Sequence, residues 1–446
     1  MRGEVEGRAP WLAPLPANWD LAPLKAFVTD ARNGLWGDPP EDSNDQVYCA
    51  RVADFDRIRA VLSLSDPTVR SVPRAKWLGR LLQRGDLLLE KSGGGAKQPV
   101  GFVVLVEDLP GPTICSNFVA RMPVAAGADP GFVRYLHQHV YSVRLNTRSI
   151  KQSTGIQNLD SGSYLQELAP RPPLPTQRAI ASYLDRETAR IDTMIEKKER
   201  LLELLEEKRT ALITQAVTKG LDPDVPMKDS GVEWLGEVPA HWEVGGLRRC
   251  AAIVDCKHRT PEYLPEGVPV VSTSEVKPGV LDLDRCFRFV GDADYRDLTE
   301  GARLPQVGDL VYSRNASLGS AALVESASPF CMGQDVVIVR PKQGVGAYLM
   351  YVLNCTVVTS QVEAVGVGST FSRINVSTIR DLVVPMPPPD EQLAISGMLR
   401  AAASTLDALS DRITRAIALL KEYRSALISA AVTGQIEVPD APDPYT

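Results

Sequence analysis

Several clusters in this 446-residue chain bring reactive residue types close together, and each lacks the member that its chemistry needs. Asp38-Pro39-Pro40 begins the Asp/Asn-Pro-Pro-aromatic motif with which amino-methyltransferases hold a target base, but Glu41 stands where the stacking aromatic must be. Ser92-Gly93-Gly94-Gly95-Ala96-Lys97 is glycine-rich enough to suggest a phosphate cradle. It lacks the Gly-x-x-x-x-Gly-Lys-Ser/Thr spacing that wraps backbone N–H groups and a lysine around a triphosphate, and reads as a glycine turn. Cys250, Cys256 and His258 approach a metal cluster without a fourth donor at workable spacing, and read as buried thiols beside a histidine. His137 and His139 sit on a short predicted helix and read as core or surface side chains rather than ligands. Glu206 and Lys208 imitate part of a nuclease motif but fall inside a helical pattern, where they read as solvated charges. No catalytic residue, metal site or cofactor is expected.

Bulk properties narrow the classes further. A single core rarely grows past about 250–300 residues, so the chain should hold two or more domains. At 44% hydrophobic and 23% charged residues it has the make-up of an ordinary globular protein. No apolar run approaches the ~18 residues of a membrane span. Arg2, Glu4, Glu6 and Arg8 stand where an export signal needs an apolar segment, so a cytoplasmic location is expected. Cys49, Cys115, Cys250, Cys256, Cys286, Cys331 and Cys355 are odd in number and form no Cys-x-x-Cys pair, which argues against a disulfide framework or a zinc site. The net charge of -6 gives no overall basic footprint for nucleic acid. Arg57, Arg59, Arg70, Arg74, Lys76, Arg80, Arg84, Lys91 and Lys97 are nevertheless opposed locally only by Asp66, Asp86 and Glu90, enough for a local basic face.

The elements that would position any site are duplicated. Trp11-Leu12 and Pro16-Ala17-Asn18-Trp19-Asp20 return as Trp234-Leu235 and Pro239-Ala240-His241-Trp242-Glu243, an offset of 234 − 11 = 223. Arg84-Gly85-Asp86-Leu87 and Val307-Gly308-Asp309-Leu310 keep that offset, 308 − 85 = 223. Pro172-Pro173-Leu174-Pro175-Thr176-Gln177 then matches Pro387-Pro388-Pro389-Asp390-Glu391-Gln392 at 387 − 172 = 215. Between the repeated ends, Pro99 to Glu107, Asp309 to Tyr312 and Asp335 to Arg340 read as strands, and Phe132 to Val143 and Ala347 to Val358 as short helices. The globular halves are therefore expected to be α+β.

Thr176 to Thr218 and Asp390 to Thr433 contain no proline, while proline crowds the residues before each, which predicts two long helices. An apolar seam runs through Leu184, Thr188, Ile191, Ile195, Lys198, Leu202, Leu205, Arg209, Leu212 and Ala216. Adding 215 gives Leu399, Ala403, Leu406, Ser410, Ile413, Ile417, Leu420, Arg424, Leu427 and Ala431. Seams sustained over several heptads predict a coiled coil. A helix of about 43 residues spans about 60 Å, and a second helix packed along it must run back, making an antiparallel pair with a pseudo-twofold axis. The expected divisions are a first globular domain over 1–175, a first long helix over 176–220, a second globular domain over 221–389, a second long helix over 390–436 and an acidic tail over 437–446.

The proline-rich lead-ins to Gln177-Arg178-Ala179-Ile180-Ala181 and Glu391-Gln392-Leu393-Ala394-Ile395, the Trp-Leu-Gly-x-Val-Pro-x-x-Trp run at Trp234 to Trp242, and Gly308-Asp309-Leu310-Val311-Tyr312-Ser313-Arg314 resemble specificity subunits of type I restriction-modification systems. The resemblance implies two target recognition domains on two coiled-coil helices. It also implies double-stranded DNA, two methyltransferase subunits and translocating restriction subunits as partners, with no membrane, and leaves catalysis to those partners. Lys91-Ser92-Gly93-Gly94-Gly95 departs from the family's Ser-Arg-x-Gly pattern. Arginine and lysine bridge guanine, asparagine and glutamine bridge adenine, and serine positions phosphates. The candidate DNA contacts are accordingly Lys91, Ser92, Lys97, Lys151, Gln152 and Gln157 in the first half, and Ser313, Arg314, Asn315, Ser317, Ser372 and Arg373 in the second. The competing reading is a coiled-coil scaffold that joins other proteins without touching DNA.

Overall fold

The fold is taken from a computed structural model that describes residues 14–40, 45–77, 79–153, 155–315, 319–366 and 373–439. Trp11, Leu12, Glu41, Ser317 and Ser372 lie outside the described residues. The chain forms two compact units, Met1–Lys198 with Arg415–Thr446, and Glu199–Thr414. The sequence divides the protein where the long helices begin, whereas the compact units each take in part of both helices.

In unit 1, Leu87–Glu90 is buried at every position, so it reads as a continuous apolar run rather than an alternating one. It lies inside a six-stranded sheet ordered Arg32–Asn33, Val119–Met122, Leu87–Glu90, Val103–Leu105, Val61–Leu62, Phe55–Asp56. A second sheet sets Gln46–Ala50 between the parallel Thr113–Cys115 and the antiparallel Thr68–Ser71. A third joins Ile150–Ser153, Ile156–Leu159 and Ser92–Gly93. Unit 2 has a four-stranded sheet ordered Ala251–Asp255, Val336–Pro341, Leu310–Ser313, Ala321–Leu323. Beside it, Val268–Val271 pairs antiparallel with Phe289–Val290 and parallel with Cys331–Met332.

Structural detail follows the sequence duplication. Asp20–Pro23 pairs antiparallel with Leu168–Arg171, and Glu243–Gly246 pairs antiparallel with Val383–Met386. Gly85 (φ +90°) and Gly308 (φ +93°) occupy the left-handed region that a residue with a Cβ resists. Each turn delivers a buried aspartate: Asp86 accepts from the Gln83 N–H at 2.7 Å and from Arg121 Nε at 2.6 Å, and Asp309 from the Gln306 N–H at 2.8 Å and Arg340 Nε at 2.8 Å.

The helices that matter for function are α1 (Pro130–Ser142), α2 (Leu174–Lys219), α3 (Gly346–Asn354), α4 (Thr356–Gly366) and α5 (Pro389–Val432). The single helix expected from Ala347 to Val358 is thus two. Asn354 donates to the carbonyls of Ala321 and Met350 and accepts from the Ala321 N–H, a side chain competing with the backbone, and Cys355 turns extended. The strand expected over Pro99 to Glu107 shrinks to Val103–Leu105, because Gly101 sits at φ +104° with its N–H on the Glu90 carbonyl.

Buried glutamines seat both long helices in the same way. Gln177 donates to the Pro172 carbonyl at 2.9 Å and accepts from the N–H of Asp129, which caps α1, at 3.0 Å. Gln392 donates to the Pro387 carbonyl at 2.8 Å and accepts from the N–H of Val345, which precedes α3, at 3.1 Å. Within unit 1 the end of α5 packs beside the start of the chain, since a Cβ on Gly434 would lie 3.3 Å from Trp19. Within unit 2 the end of α2 packs beside the matching Pro-Ala-x-Trp segment, a Cβ on Gly220 lying 3.2 Å from Trp242. All twenty seam residues are buried or half-buried. In unit 1 Asp192 pairs with Arg424 at 2.8 Å, and in unit 2 Arg209 pairs with Asp407. Each pair joins a residue of α2 to one of α5.

Candidate nucleic-acid interface

Four described side chains among the unit 1 candidates, Lys91, Ser92, Lys151 and Gln157, gather on the three-stranded sheet and the strand end that feeds it, with Lys97 on the adjoining glycine turn. Lys91 follows Leu87–Glu90; its N–H donates to the Phe118 carbonyl at 2.8 Å and its carbonyl accepts from the Leu159 N–H at 2.8 Å. Lys91 Nζ rests on the neutral Asn33 Oδ1 at 2.8 Å, so its charge is not cancelled there. Ser92 Oγ donates to Asn158 Oδ1 at 2.6 Å. Lys97 is exposed, and Lys151 pairs with Asp160 at 2.7 Å while staying 77% exposed. Gln152 stands opposite Gln157 in the register; its own side chain lies outside the described part. Gln157 is buried and accepts from the Val100 N–H at 3.3 Å, so it braces the sheet rather than facing outward. Behind Lys91, burial pushes the Glu90 carboxyl above its ordinary range although Arg57 reaches it at 2.8 Å.

Unit 2 builds the same frame with other side chains. Arg314 follows Leu310–Ser313; its N–H donates to the Asp335 carbonyl at 2.9 Å and its carbonyl accepts from the Ile374 N–H at 3.1 Å. The matching residues are Lys91 and Arg314, Phe118 and Asp335, and Leu159 and Ile374, by identical backbone bonds. Here the expectation for Arg314 needs correction. It is 5% exposed, held by Asp255 Oδ1 at 2.9 Å and the Ile374 carbonyl at 3.1 Å, because a buried guanidinium must satisfy its donors. Ser313 is corrected likewise: its buried hydroxyl donates to the Asn315 carbonyl at 2.8 Å. Arg373 does stand outward, 44% exposed, with Asp335 at 3.3 Å. Asn315 is half-buried at the loop's start.

Residues that the sequence reading passed over complete both sites. Asn33, Phe118 and Asn158 belong to the first, and Asp255, Gln334 and Asp335 to the second. Subtracting the repeat offset from Arg373, 373 − 215 = 158, would have pointed to Asn158. Asp255, Cys256 and His258 place one donor atom each within 4.8 Å of one another. His258 Nε2 contacts Asp255 Oδ2 at 3.1 Å, and the Cys256 thiol, pushed up to about 11 by burial, donates to the Gln334 carbonyl at 3.2 Å. These groups fasten the loops around Arg314. Cys250 takes no part, its thiol donating to the Leu247 carbonyl.

The description "Type I restriction modification DNA specificity domain" belongs to the family whose model matches residues 260–418, which include the whole Arg314 loop. The chain resembles type I specificity subunits over nearly its whole length. The putative type I restriction enzyme MjaX specificity subunit of Methanocaldococcus jannaschii is 22% identical, with 96% of each chain covered. The type I restriction enzyme EcoBI specificity subunit of Escherichia coli is 19% identical over 68% of this chain and 65% of its own. Among solved folds, a chain from a structure addressing complex assembly and conformational transition of the type I R-M system superposes with a TM-score of 0.72 at 17% identity, covering 95% of this chain and 100% of the other. The HsdS subunit from Thermoanaerobacter tengcongensis gives 0.58 at 17% identity, covering 95% and 99%. The specificity-subunit fold is therefore present with a mixed helix and strand architecture, and among the described residues no helix is long and apolar enough to cross a membrane.

Proposed function

We propose that this chain is the DNA-reading specificity subunit of a type I restriction-modification complex, in which each unit reads one half of a split target and the α2 and α5 helices carry the docking of methyltransferase and restriction subunits. The observation that carries this reading is the shared frame around Lys91 and Arg314, which presents different side chains in its two copies. One fold with two chemistries suits two non-identical half-sites. The chain itself is non-catalytic and works in the cytoplasm, with methyl transfer and cleavage done by its partners. The proposed recognition domains are 1–175 and 221–389, and the proposed DNA contacts are Lys91, Ser92, Lys97, Lys151 and Gln152 in one, and Asn315, Ser317, Ser372 and Arg373 in the other.

The test is methylome sequencing of cells with the gene present and deleted, together with co-purification of the methyltransferase encoded beside it. A gapped motif with two different halves that vanishes on deletion is the expected result. A stable complex with no change in methylation would favour the scaffold instead.

A further inference from the structure

Unit 1 holds an open pocket of about 480 Å³ lined by Trp36, Arg51, Val52, Ala53, Ser116, Asn117 and Phe118. It adjoins the Lys91 frame, since the Phe118 carbonyl takes the N–H of both Lys91 and Ser92. Two of its aromatic side chains are turned outward against the hydrophobic effect, Trp36 at 39% exposure and Phe118 at 52%. A cation lies against them: Arg70 is 3.9 Å from the Trp36 ring centroid, whereas Asp54 binds the Arg51 guanidinium through two nitrogens and offsets its charge. Large apolar groups exposed beside positive charge suit a polyanion that also offers an apolar spot. On the major-groove edge of duplex DNA that spot is the C5-methyl of thymine.

Resting on the reading of unit 1 as a DNA reader, we infer that Phe118 and Trp36 determine part of the first half-site by contacting a thymine methyl. Arg70 and Lys91 hold the neighbouring phosphates. Unit 2 places Asp335 where unit 1 has Phe118, and pairs it with Arg373, so the apolar discrimination is confined to the first half-site.

The experiment uses the full chain with its co-purifying methyltransferase and duplexes carrying the motif found by methylome sequencing. Each thymine of the first half-site is replaced by uracil, which removes only the methyl group. Wild-type binding should weaken about fourfold at one position, the worth of one buried methyl, while uracil in the second half-site changes nothing. Phe118→Ala should weaken binding to the thymine duplex and abolish the thymine–uracil difference, and Phe118→Leu should keep it. Equal binding of thymine and uracil duplexes by the wild type, or a difference that survives Phe118→Ala, would overturn the assignment while leaving the DNA-reading function intact. Bright fluorescence on binding from 2-aminopurine placed opposite that thymine, marking a base drawn out of the helix into the pocket, would also overturn it. Absence of any motif in the methylome would instead remove the reading on which the assignment rests.

Discussion

Lys91 and Arg314 stand at the same point of the same framework and meet opposite fates. Both follow a wholly buried strand, and both are fixed by one backbone bond given to a loop and one accepted from a strand or loop beyond. Lys91 meets a neutral asparagine and keeps its charge available, while Arg314 meets Asp255 and becomes part of the support, passing the outward role to Arg373. A duplicated fold thus keeps its backbone frame and changes what the frame presents. Burial or exposure of a cation is set by its single facing residue.

The frame itself should behave alike in both units, and the largest expected effect tests that likeness. Asp86→Ala and Asp309→Ala each remove a buried carboxylate that accepts from a half-buried arginine and a backbone N–H, and should each cost about 3 kcal/mol in urea denaturation. A large loss in one and none in the other would break the equivalence. Acid should separate the units instead. Burial lowers His137 to about 3 and His139 to about 4 in unit 1, whereas the unit 2 histidines, His241 and His258, are on the surface. A histidine held below its unfolded value near 6.5 gives stability that is present above that pH and lost as pH falls toward the folded value, up to about 1.4 kcal/mol per pH unit. Proteolysis at falling pH should therefore open unit 1 below about pH 6, and His137→Phe together with His139→Phe should remove that sensitivity. The smallest effect lies in the coil. Asp192 is 15% exposed and Arg424 12%, against 62% for Asp407 and 28% for Arg209. Asp407→Ala should cost under about 1 kcal/mol and Asp192→Ala about 1–3 kcal/mol in thermal unfolding, and equal losses would mean the two pairs are equally wet.

The long helices were legible because their signal is local and periodic: proline before them, seams within them, and boundaries at Leu174 and Pro389 within two residues of those expected. The repeat was legible because Gly-Asp turns and Pro-Gln lead-ins sit where backbone geometry tolerates few alternatives, as the twin roles of Gln177 and Gln392 explain. The candidate site was legible only as an address. Lys91 and Arg314 were located, but whether each faces outward depends on Asn33 and Asp255, which lie some sixty residues earlier and meet them only through sheet pairing. Phe118 carries no sequence mark at all, for an exposed aromatic looks like a core residue until its surroundings are known.

Because Arg415 onward belongs with the first unit, the ribosome finishes the contiguous second unit before it has made the segment that closes the first. The residues around Pro16 and Trp19 must wait, with the surface that Gly434 and its helix will cover still bare, until the last turn of α5 has been made. A frameshift within α5 would therefore do its damage in the unit whose larger part was made earlier.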